Sequence, residues 1–155
     1  MPDYRGIFKL LVLCEVLLFT PSTLCALSLT KTQDLVFGRV VGGSGYSGNV
    51  TVGTSGERYA SGGLRLLGSV FSPARFVFYG SPGETYSITI PAALTIVSGG
   101  DSMDVSAVTC SVPLKGSLPP SGVLAFTVGG TMTVKATQRS KSTYSGDFNV
   151  SVAGN

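Results

Sequence analysis

The chain has 155 residues, with 11 basic and 8 acidic side chains, 21 Gly, 8 Pro, 3 Cys, no His and no Trp. Charged residues make up 12% and apolar ones 43%, a balance that excludes intrinsic disorder and suits one folded domain. The lack of His removes the usual general base, the usual nucleophilic triad and most zinc sites, and a net charge of +3 is spread too thinly for a nucleic-acid stripe.

Residues 1–26 stand apart. Arg5 and Lys9 precede an apolar run, Leu10 to Phe19, then Thr20-Pro21-Ser22 breaks it and small residues follow to Ala26. This charged, apolar, small-residue order is that of a secretory signal, with cleavage expected after Ala26 or after Cys25. The run falls short of the roughly 20 residues that span a bilayer, so no membrane span is expected in the mature chain. Cys14 and Cys25 each follow a Leu, where lipidation needs a small residue, and Gly6 has Leu11 where a prepilin needs Glu. The expectation is a secreted or cell-surface protein whose residues 27–155 form a single domain. Cys110 then remains without a disulfide partner, and its place in the alternating run Val108–Val112 makes it a packed apolar residue.

Strand signals follow in order. Leu27, Leu29, Leu35, Phe37 and Val41 share one parity, ended by Gly42-Gly43-Ser44-Gly45. Short strands are predicted at 49–52 and 63–67. In 74–79, Phe76 and Phe78 share one face and Val77 and Tyr79 the other. In 85–90, Tyr86, Ile88 and Ile90 point inward. Further strands are predicted at 94–97 and 103–112. Gly129-Gly130, set between Leu124–Val128 and Thr131–Val134, predicts a two-residue hairpin with positive φ, pairing Val128 with Thr131 and Phe126 with Thr133. The last strand, 143–152, puts Tyr144, Gly146, Phe148, Val150 and Val152 on one face. No window after Ala26 has helical periodicity. About seven to ten short antiparallel strands form an all-β sandwich.

The search for chemistry is mostly negative. Six carboxylates lie beyond residue 26 (Asp34, Glu57, Glu84, Asp101, Asp104 and Asp147), and nothing marks two of them as a pair facing across a sugar. Asp101 and Asp104 offer oxygens to a cation but lack the ligand density of a calcium loop. The glycines around Tyr46 have no Lys-Ser/Thr after them and open no helix, so they are a turn rather than a phosphate loop. No catalytic residue, cofactor or metal is assigned, and the protein is not expected to be an enzyme. Function then resides in surfaces and strand edges. Tyr46 and Tyr59, in Gly-rich loops, are the candidate aromatics for a carbohydrate or other ligand, the second reading of the chain.

The stretches Leu29–Gly38 with Arg39-Val40-Val41, Ser72–Phe76, Tyr86–Pro91, Phe126–Thr131 and Thr143–Val150 together resemble a bacterial secreted family, domain of unknown function 4402. That family resembles spore-coat-U and chaperone–usher pilin domains: Phe37-Gly38-x-Val40 is similar to their first strand and Tyr144–Val152 to their last. The resemblance implies an immunoglobulin-like, pilin-like sandwich at the cell surface, self-assembled into an oligomer or filament by strand donation. A periplasmic chaperone or an outer-membrane assembly factor would be its helper. The chain differs from the pilin pattern in lacking the usual disulfide and in ending Ala153-Gly154-Asn155. On this reading Leu27, Leu29, Leu35 and Phe37 fill an apolar groove, in the same chain or a neighbour, and Tyr144, Phe148, Val150 and Val152 line one side of it.

Overall fold

A computed structural model of the chain describes residues 27–42, 45–137 and 143–154. The signal segment 1–26, with Cys14, Cys25 and both cleavage sites, lies outside the described residues. Within them the protein is all-β, and no described helix is long and apolar enough to cross a membrane.

Among the described residues twelve strands form: β1 (Ser28–Gln33), β2 (Arg39–Val41), β3 (Gly48–Val52), β4 (Arg58–Ala60), β5 (Arg65–Leu67), β6 (Ala74–Tyr79), β7 (Thr85–Thr89), β8 (Leu94–Ser98), β9 (Asp101–Cys110), β10 (Lys115–Ser117), β11 (Val123–Val134) and β12 (Ser151–Gly154). The number exceeds expectation because β2, β4 and β10 are three-residue pairings within stretches that read as loops or as part of a longer strand. Every strand pairing is antiparallel.

β11 organises the molecule. Its first half pairs β6 from Val123 to Val128, and its second half pairs β3 from Gly130 to Val134. β9 runs along its other edge, from Val128 to Thr133. β1 extends β6, and β8 extends β9. A second sheet, β10-β7-β12, supplies Tyr86 and Ile88 to a core shared with Phe76, Phe78, Phe126 and Val128. A second core cluster gathers Val50, Leu64, Ile96, Met103, Val105 and Met132. Period-2 alternation explains much of both, because β6, β7 and the first half of β9 bury every second residue.

The Gly129-Gly130 hairpin is not formed. The two glycines lie inside β11, and neither has positive φ. Gly129 sits where β11 changes partner from β6 to β3. A Cβ there would collide with the Val52 carbonyl oxygen and stand 3.0 Å from the Gly53 carbonyl carbon. Opposite Gly130, β9 bulges: the register shifts so that Ala107 and Val108 face one residue of β11, with Ala107 at φ 49°. Glycine here serves close backbone approach, not a turn.

Two smaller departures have similar causes. Gly38, at φ 76°, interrupts the N-terminal alternation, so Val40 rather than Val41 turns toward the core. The C-terminal ladder is confined to Ser151–Gly154 on β7, and of the described residues 143–150 only Ser145 makes a bridge, to Val97.

Candidate functional site

The site is a groove between two stretches of chain that the fold brings side by side without pairing. One wall is residues 34–41. It is held from outside by the exchange of hydrogen bonds between Val36 and Ser72 (2.8 and 3.0 Å) and by the β2–β5 ladder. Arg58 fastens the same wall: its guanidinium donates to the Phe37 carbonyl at 3.1 Å and the Gly68 carbonyl at 2.8 Å, and lies 4.4 Å from the centre of the Phe71 ring. The other wall is residues 143–148, held from its own outer side where Ser145 and Val97 exchange hydrogen bonds of 2.8 and 3.1 Å.

Tyr144 packs in the cluster of Phe37 and Val40, whereas Phe148 meets Phe76 edge-on at 6.5 Å, beside the β1 end. The two walls therefore run antiparallel to each other. Among the described residues no main-chain bond joins 34–41 to 143–148. Backbone donors and acceptors along a strand are obligatory hydrogen-bonding groups, so two such edges facing one gap form a template for an additional strand.

The gap has a volume of about 1390 Å³, and its floor is the seam between the two core clusters. Phe76, Ile96, Met103 and Met132 form much of it and keep 6–8% exposure, whereas Val50, Val52, Val105 and Val128, away from it, are fully buried. Among the described residues the Tyr144 hydroxyl, buried in the wall, has no hydrogen-bond partner, which costs of the order of 1–3 kcal/mol.

The structure divides the eight residues expected at a groove. Leu35, Phe37, Tyr144 and Phe148 line this one together. Leu29, Val150 and Val152 instead pack against the first core cluster. Leu27 lies over Gly80 and Gly154, where an added Cβ at either glycine would come within 3 Å of it. Of the two loop tyrosines, Tyr46 lines the groove and rests on Gly63; Tyr59 lies elsewhere, exposed on β4 opposite Thr51. Asp101 and Asp104 do not converge. Asp101 shares the strand face of Met103 and Val105, while Asp104 faces outward to Lys135 at 3.3 Å. Among the described residues no three potential metal ligands cluster. Cys110 is half-buried against the first cluster.

Arg58, Asp34, Asp147 and the floor methionines were not singled out from sequence. Alternation marks Met103 and Met132 as inward-facing but not as groove-facing. Nothing local marks Arg58, whose acceptors are 21 and 10 residues away.

The family model described as "Domain of unknown function (DUF4402)" matches residues 27–153. No curated protein and no solved structure matches the chain. The chain belongs to the DUF4402 family.

Proposed function

We propose that this is an exported, cell-surface structural subunit, not an enzyme, that assembles with further copies of itself by β-strand complementation. The observation that carries the reading is the pair of unladdered strand edges, 34–41 and 143–148, facing each other over an apolar floor. A strand entering between them would complete both edges at once and cover Phe76, Ile96, Met103 and Met132. Strand addition of this kind draws affinity from main-chain bonds and specificity from alternate side chains in pockets. At roughly 3.3 Å per residue, walls of this length accept a strand of about six to eight residues. The incoming strand comes from a second copy, whose N-terminal Leu27 and Leu29 alternate with Ser28 and Thr30.

The test is electron microscopy and size-exclusion chromatography of the exported protein beside a version lacking residues 27–34. Filaments or higher oligomers are expected from the first and monomers from the second. Equal assembly by both would end the case for donation by this segment.

A further inference from the structure

The groove carries a charge axis. Lys31, Asp34 and Asp147 line one end, where the Lys31 ammonium lies 2.6 Å from the Asp34 carboxylate. The hydrogen bond and charge of Asp34 hold the Lys31 pKa above the ordinary lysine value, and the Asp147 charge adds to this in the same direction. Two carboxylates against one ammonium leave this end with an excess negative charge. Arg39 and Lys135 line the groove as well, toward the Tyr144 side. Lys135 pairs with Asp104, and among the described residues no carboxylate lies within ion-pair distance of Arg39, so this end has an excess positive charge.

We infer that this axis sets the direction of the incoming strand: residues 27–33 of a second copy enter with Lys31 at the Asp34–Asp147 end. The inference rests on the strand-complementation reading above. In that direction the strand runs antiparallel to 34–41 and parallel to 143–148, and Leu27 and Leu29 fall toward the apolar floor. The exchange is physically reasonable. On its own β6 the segment forms a ladder along one edge only, through five residue pairs, with five of the six β1 side chains exposed. In the groove it would form ladders along both. A copy that donates the segment removes Lys31 from its own acidic end and receives the neighbour's Lys31 there, so the ion pair is conserved along a head-to-tail chain. Charges placed this way govern orientation and register more than raw affinity.

The experiment uses the exported protein and two synthetic peptides with blocked ends, residues 27–33 and the same peptide carrying Lys31→Glu. Binding is measured by fluorescence anisotropy at low and high salt. The expected result is binding of the native peptide about five- to tenfold tighter at low ionic strength, shrinking to less than about twofold near 0.5 M salt, where the screening length is only a few ångströms. In a double Asp34→Asn, Asp147→Asn protein the preference should vanish while binding persists. Equal affinity of the two peptides, or a preference that survives in the double variant, would overturn the charge axis and leave strand acceptance standing. If neither peptide binds, strand acceptance by the groove fails, and the charge axis with it.

Discussion

Replacing Gly129 by Asn separates two opposite accounts of the Gly129-Gly130 pair. If the pair were a two-residue hairpin, Asn-Gly would be among the most favourable sequences for it, and Gly129→Asn would be neutral or stabilising. In the continuous β11 the outcome reverses. A Cβ at this position collides with the Val52 carbonyl oxygen and stands 3.0 and 3.1 Å from the Gly53 carbonyl carbon and the Thr54 nitrogen. All three are backbone atoms, so no side chain can swing aside, and β3 or its following turn must move. Overpacking of a filled interior costs about 1–3 kcal/mol, and backbone contacts place this site toward the upper part of that range. For a domain of this size that corresponds to a fall in Tm of roughly 6–12 °C. Thermal unfolding followed by circular dichroism measures it, with Gly129→Ala as the minimal control, expected to fall in the same direction. A Gly129→Asn protein as stable as the parent, or more so, would refute the continuous strand.

Three further outcomes are expected. Phe126→Ala removes a side chain that is 2% exposed and stacked on Phe76 at 5.3 Å, and should lower unfolding free energy by about 3–5 kcal/mol, read as a drop in the urea midpoint at unchanged slope. Arg58→Ala frees the outer groove wall, so amide exchange at residues 36–41 should accelerate and stability fall by about 1–2 kcal/mol; Arg58→Lys should recover only part, since one ammonium cannot reproduce the fork that holds two carbonyls. Asp34→Asn removes the main group that raises the Lys31 pKa, so the titration midpoint of that ammonium, followed by NMR, should fall toward the ordinary lysine value. Because the folded value is raised, the pair's contribution is complete below the unfolded lysine pKa of about 10.4 and is lost only as pH rises through the folded value.

Much of the fold is written locally. Alternation in 74–79 and 85–90 identifies Phe76, Phe78, Tyr86 and Ile88 as core residues, because a pleated strand with one buried face must repeat every second residue. The glycine pair at 129–130 shows where such reading stops. Glycine is required equally by a tight turn and by a close backbone crossing, and only the arrival of β3 decides between them. Gly38 shows the same limit: its positive φ breaks the parity of the N-terminal stretch, and Val40 takes the inward place that parity assigned to Val41.

The groove divides the same way. The apolar character of Leu35, Phe37, Tyr144 and Phe148 is a property of the sequence, as are the strand-like runs that carry them. Their convergence is not, because the two walls are about a hundred residues apart along the chain and local patterning holds no information about which edges meet. Tertiary structure alone decided that these edges face each other unpaired. It also packed Leu29, Val150 and Val152 against the protein's own first core and laid Leu27, still exposed, over Gly80 and Gly154. The physical reason is that alternation specifies which face of a strand is buried, while the partner of each edge is chosen by every other strand competing for it.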